Sequence, residues 1–240
     1  IIFINNDFIY LKMDTTKDVM NSGRQYNTLT NIPKNDRQKI SNLYGVDIST
    51  CLQSIIVSKF DDLELPFTKM YMENRNKVRN DISKTMGWEI SVTKMEITSI
   101  YQGRKYIKSK YESLKHIFDE RDIIQNAIIG LRSTKGEAIK YASHRTNKKL
   151  LKSNIKDYTL KDYEKLNNKQ EKIKRTFMYF YWTFFEREIQ NIIASNFKYP
   201  KTLHDAVYTQ NREEFDALDL TKIESDILSK TGIKIKLEID

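Results

Sequence analysis

Apolar positions along the chain recur with two different periods, and the switches between them outline the elements. Residues 1–12 alternate around Asn5-Asn6-Asp7, which predicts a β-hairpin. Residues 14–40 are polar and irregular, punctuated by Gly23 and Pro33. Residues 41–49 read as a strand, and Leu52, Ile55, Ile56 and Phe60 then fall at helical spacing over 50–60. A charged helix is predicted over 69–84, carrying Arg75, Lys77 and Arg79 and broken at Gly87-Trp88. One or two helices follow over 89–130. Residues 131–175 are strongly basic and hold few large apolar side chains, as expected of an exposed helical or loop insertion. Residues 176–196 predict an aromatic-rich helix. Residues 202–209 read as a short strand, 222–230 as a helix and 233–239 as a final alternating strand. Strands separated by helices of unequal length predict an α+β fold rather than a doubly wound sheet.

Composition removes several classes. The 240 residues allow one large domain or two small ones, and 39% hydrophobic residues support a sizeable core. A single cysteine, Cys51, excludes an internal disulfide framework and a cysteine zinc site. No apolar run is long enough to span a membrane and no signal peptide is visible. No membrane partner is expected, and the location expected is cytoplasmic or virion-associated. The net charge of +9, from 41 Lys and Arg against 32 Asp and Glu, favours a polyanionic partner. A lysine-rich, AT-rich genome would give the same excess. The chain starts Ile1-Ile2-Phe3 without a methionine, so a fragment or processed piece is expected, completed upstream or by a second chain.

Two carboxylates share one setting. Asp205 lies in Thr202-Leu203-His204-Asp205-Ala206-Val207-Tyr208, and Asp47 in Leu43-Tyr44-Gly45-Val46-Asp47-Ile48-Ser49. A carboxylate among apolar strand residues is costly to bury unless it binds a metal or finds a partner. Two strand-borne aspartates far apart in sequence are what a two-metal phosphoryl-transfer site needs. Between them, Lys94, Thr98 and Tyr101 lie four and three apart and are expected on one helix face. A lysine for phosphate and a ring for base or sugar could hold a nucleotide there, although an ordinary amphipathic helix has the same pattern. Upstream, Gly23-Arg24 precedes Asn31-Ile32-Pro33, where glycine permits close approach and arginine suits phosphate.

Taken in order, these pieces resemble the catalytic part of the single-subunit polymerase superfamily, which joins bacteriophage-type DNA-directed RNA polymerases and family A DNA polymerases. Gly23-Arg24 is similar to the Gly-Arg motif that touches the template duplex. Asp47 in Val-Asp-Ile-Ser looks like motif A, Val92-Thr93-Lys94 through Gly103 like the motif B fingers helix, and His204-Asp205 like motif C. The separations are 23, 47 and 111 residues (24 to 47, 47 to 94, 94 to 205), close to those of compact family A enzymes. The resemblance spans nearly the whole chain. It departs in motif B, where Gln102 stands in place of the usual tyrosine, with Tyr101 one residue earlier. Ile90 stands where a basic residue is usual, so Arg75 or Arg79 would substitute, and Met20 replaces Thr or Asp before the Gly-Arg motif.

The resemblance implies a palm with an antiparallel sheet (residues 1–60 and 176–240) and mostly helical fingers (61–175). Asp47 and Asp205, with the Ile48 carbonyl, would hold two Mg²⁺ ions. Lys94 would bind the triphosphate and act in catalysis. Arg79 and Tyr101 or Gln102 would contact the nucleotide, and Gly23, Arg24 and His204 the nucleic acid. Its partners would be a DNA template, nucleoside triphosphates and the nascent RNA or DNA. Leu52, five residues after Asp47, fits neither branch of the superfamily, and Val-Thr-Lys followed by Thr98 favours RNA synthesis. The alternatives are a family A-like DNA polymerase and a non-catalytic basic protein that binds nucleic acid.

Overall fold

The structure of the protein, a computed structural model, describes residues 2–5, 8–11, 40, 42–131, 136–150, 170–203 and 205–239. Its class is α+β, mostly helical with a small antiparallel sheet. The chain divides into two compact units. One is discontinuous, Ile1–Cys51 with Phe185–Asp240, and the other is Leu52–Phe184. The sequence-based boundaries at 60/61 and 175/176 thus move to 51/52 and 184/185.

In the first unit, β1 (Ile2–Asn5) and β2 (Phe8–Leu11) form the expected antiparallel hairpin. Four further strands make one sheet: β3 (Tyr44–Ser49), β4 (Lys201–Leu203), β5 (Ala206–Thr209) and β6 (Lys236–Ile239). Their order is β4-β5-β3-β6, antiparallel throughout. The predicted single strand over 202–209 is instead a hairpin. Leu203 pairs with Ala206, so the chain reverses across two residues and Asp205 sits in the turn. Aspartate suits a turn because its carboxylate can satisfy nearby backbone, whereas within a buried strand it would be costly.

Val46 and Ile48 are 0% and 1% exposed and share one sheet face with their partners Val207 and Leu237. At the β6 edge the Leu237 amide donates to Glu224 Oε1 at 2.7 Å. Glu224 lies on α9 (Leu220–Thr231), so this helix satisfies a donor of an otherwise open strand edge.

The second unit is helical. It holds α1 (Cys51–Lys59), α2 (Pro66–Met86), α3 (Ile90–Tyr101), α4 (Lys108–Tyr111), α5 (Lys115–Gly130) and α6 (Glu137–Leu150). The long α7 (Gln170–Ala194) runs through the boundary, and the short α8 (Arg212–Asp216) belongs to the first unit. Proline at the first turn of α2 and Gly87 at φ +66° after its end are the expected start and stop residues. Ile97, Ile100, Ile117, Ile124 and Ile128 are all 0% exposed and form the centre of this unit. The insertion expected to be exposed over 131–175 is partly built in, since α6 buries Ala138, Ile139, Ala142 and Thr146. Apart from Ile139 these side chains are small, which lets the helix pack closely with few of the bulky apolar residues that would have marked it.

Candidate functional site

The sheet register brings Asp47 and Asp205 to neighbouring backbone positions. Asp47 lies opposite Ala206, and the Ile48 amide donates to the Asp205 carbonyl at 3.1 Å. That bond flanks the Asp47–Ala206 pair rather than joining it. The strands are therefore at their narrow spacing there, with Cα atoms about 4.5 Å apart and side chains on a common face. Asp205 immediately precedes Ala206, at the tip of the β4–β5 hairpin. In an extended strand the amide and carbonyl of one residue point the same way. The Ile48 carbonyl thus faces the same edge as its amide, towards the hairpin.

Both aspartates are half-buried, and the Oδ1 atom of Asp47 is shielded from solvent. Ile40, Leu203, Ala206 and Tyr208, with Leu43 against them, form a small apolar cluster beside the hairpin. Across the other neighbour, Glu238 is the register partner of Asp47. Among the described residues no group of three or more His, Cys, Asp or Glu side chains is placed to hold a metal ion. The backbone register thus brings together the positions of Asp47, Asp205, Glu238 and the Ile48 carbonyl, all oxygen donors. That set fits Mg²⁺, which takes one or two carboxylates and completes its shell from water and substrate phosphates.

The motif B candidates lie in the second unit. Lys94 is exposed on α3, and Thr98 Oγ1 donates back to its carbonyl at 3.0 Å. Gln102 follows the last turn, half-buried. Tyr101 corrects the expectation of a ring offered to a nucleotide. It is 1% exposed, and its hydroxyl lies 2.6 Å from Thr68 Oγ1. Burial pushes its phenol far above the usual range, with Glu120 adding to the rise. Arg79 donates from Nε to the Tyr71 hydroxyl at 2.7 Å, with its guanidinium over the same ring. Burial raises the Tyr71 phenol, and Arg79 works against that rise. Gly23, Arg24 and His204 lie outside the described residues.

Two buried carboxylates that the sequence did not single out organise this unit. Glu120 of α5 receives the amides of Phe67 and Thr68 at 2.5 and 3.0 Å and the Thr68 hydroxyl at 2.7 Å. It thus caps the first turn of α2 from 52 residues away, where orphan amides and the helix dipole favour an anion. Thr68 Oγ1 donates to Glu120, so the Tyr101 hydroxyl donates to Thr68. Glu96, 5% exposed on α3, is held by Arg104 Nε at 3.1 Å, Lys110 at 3.3 Å and the Tyr111 hydroxyl at 3.2 Å. These contacts pin the turn after α3. There Gly103 adopts φ +93°, and an added Cβ would lie 2.3 Å from Arg175 Cγ. The signal for Glu96 was its place on the apolar stripe of α3, beside Ile97 and one turn before Ile100. Glu120 gave none, because Asp119, Arg121 and Asp122 make its segment look like a solvated face.

Comparison with protein-family models, with curated proteins and with solved structures finds no match to this chain.

Proposed function

We propose that the chain is the catalytic part of a template-directed nucleotidyltransferase, a DNA-directed RNA polymerase of the single-subunit kind in preference to a DNA polymerase. One observation carries the reading: Asp47 on β3 and Asp205 in the adjoining β4–β5 turn, remote in sequence, come to neighbouring backbone positions, with the Ile48 amide bonded to the Asp205 carbonyl. A merely basic binding protein gives no reason for that meeting. On this reading the sheet is the palm and α2, α3 and α5 belong to the fingers.

Asp47, Asp205 and the Ile48 carbonyl would hold Mg²⁺. When bound, the metal supplies Lewis acidity to the attacking hydroxyl and charge neutralisation to the triphosphate. The carboxylates' own part is to fix those oxygens on a rigid sheet, with Asp47 half sheltered from water. Lys94, exposed on α3, is the cation for the triphosphate and a proton source for the leaving group. Gln102, adjoining that helix, takes the sugar-facing role that the buried Tyr101 cannot fill in this arrangement. Leu52, in the first turn of α1, is too flexible to exclude a ribose hydroxyl strongly, which supports NTP use.

Asp47→Asn and Asp205→Asn should each lower nucleotide incorporation on the order of 10³-fold, the scale of losing one preorganised electrostatic group. Template binding should stay unchanged. Mn²⁺ titration should show weaker binding in both variants, and NTP should compete at least equally with dNTP. Wild-type incorporation by either variant would sink the two-aspartate reading. Strong dNTP preference would promote the DNA polymerase alternative.

A further inference from the structure

We infer that the solvent face of α6 is a contact for a nucleic-acid backbone. Ala138, Ile139, Ala142 and Thr146, none more than 8% exposed, hold the opposite face in the unit. That fixes which side turns outward. On it Lys140, His144 and Lys148 recur at i, i+4 and i+8, each exposed. Successive members are about 6 Å apart along the helix axis, from a rise of about 1.5 Å per residue. Arg145 on the flank is instead held over the rings of Tyr141 and Phe180, at 6.0 and 5.4 Å.

Three exposed cations among the described residues pair with a carboxylate one turn away. Lys108 pairs with Glu112 at 3.8 Å, Lys115 with Asp119 at 2.6 Å and Arg212 with Asp216 at 3.2 Å. On α6 Glu137 stands three residues before Lys140, and the residues one turn on are His144 and then Lys148, with no carboxylate beside them. Residues 132–152 carry seven Lys and Arg against the single carboxylate Glu137, a net +6, which is two thirds of the chain's +9. Two lysine point charges about 12 Å apart along one helix face suit a polymer with a regular row of phosphates. The choice of nucleic acid among polyanions rests on the polymerase reading, whereas the surface itself rests on α6.

The test is fluorescence anisotropy of a short labelled single-stranded oligonucleotide with the full chain, over a KCl series. Lys140→Gln with Lys148→Gln removes two phosphate contacts. The slope of log K against log salt should fall by about 1.4, which is about 25-fold in affinity at about 0.1 M relative to 1 M salt. Lys140→Arg with Lys148→Arg should keep both values. Lys108→Gln with Lys115→Gln removes equal charge from carboxylate-paired positions and should leave the slope unchanged. A wild-type slope in the α6 glutamine pair overturns the inference. So does an equal loss in the control pair, or binding of phosphatidylserine vesicles through Lys140 and Lys148 without oligonucleotide binding. Asp47→Asn, which leaves α6 untouched, should bind the oligonucleotide normally whether or not it incorporates nucleotide, so failure of the active-site reading is seen separately.

Discussion

Replacing Glu120 with alanine should strongly destabilise the helical unit. Glu120 is 5% exposed and accepts three hydrogen bonds, two from the first turn of α2 and one from the Thr68 hydroxyl. Alanine leaves two amides and a hydroxyl without that acceptor in a closed site. A buried orphan donor costs about 1–3 kcal/mol and loss of a helix cap about 0.5–2 kcal/mol. Because these terms overlap, the expected total is about 3–5 kcal/mol, in the tail reserved for broken buried networks. Glu120→Gln keeps the volume and one acceptor oxygen but turns an NH₂ towards donors, so about half that loss is expected. Tyr101→Phe removes only the outermost donor, at about 1 kcal/mol. Urea unfolding followed by tryptophan fluorescence reads this unit selectively, since the chain's 2 tryptophans, Trp88 and Trp182, both lie within Leu52–Phe184. The order alanine, glutamine, phenylalanine is the signature. A loss below about 1 kcal/mol for Glu120→Ala would refute the capping role, because it would mean that water replaces the carboxylate at little cost.

Alkaline titration tests the same interior. Tyr71, Tyr101 and Tyr181 all hold their protons above the usual phenol range, chiefly through burial, and Tyr181 is pushed up to about 12. A raised folded value leaves stability intact below about pH 10. As pH rises further the unfolded chain ionises first, and each such tyrosine removes about 1.4 kcal/mol per pH unit until its folded value is reached. Tyr101→Phe should therefore flatten the fall in urea midpoint above pH 10, and an unchanged fall would take Tyr101 out of the buried network. Gly103→Ala should cost about 2–3 kcal/mol, part from positive φ and part from crowding of Arg175. Adding Arg175→Ala should restore only the crowding share, and zero coupling in that double-mutant cycle would show that the side chain simply moves away.

What the sequence disclosed follows from which signals are local. Alternation found the β1–β2 hairpin, β3 and β6, and 3.6-residue spacing found α1, α2 and α9. The β4–β5 hairpin was read as one strand because apolar residues on both sides of His204-Asp205 concealed a turn with neither glycine nor proline. Helix α7 starts at Gln170 rather than 176, because among the charged residues of 171–175 the single apolar Ile173, one turn before Phe177, was too little to mark the extension. Tyr101 was placed with Lys94 by its seven-residue spacing. The buried stripe of α3, however, runs through Thr93, Glu96-Ile97 and Ile100-Tyr101, so the helix end turns that position inward. Proximity of Asp47 to Asp205 was not a local signal at all. It depends on strand order and register, which hydropathy does not encode.

Register is also what makes the carboxylate pair possible. Two like charges held near each other repel. Nothing in their own interaction would draw Asp47 and Asp205 together. Val46 and Ile48 do so, because their burial at 0% and 1% exposure fixes which residues of β3 face the core. Slipping β3 by one residue would put Asp47 in that apolar layer and move both neighbours to the other face. Loss of full burial costs about 1.5–3 kcal/mol for each of the two apolar side chains, before the penalty for burying a carboxylate is added. The core therefore outweighs the repulsion and holds the acids in place. It follows that neither carboxylate is needed to form the sheet. Asparagine at position 47 or 205 should leave the unit folded, and stability equal to or above that of the native chain alongside lost incorporation would separate a site placed by the fold from one that builds it.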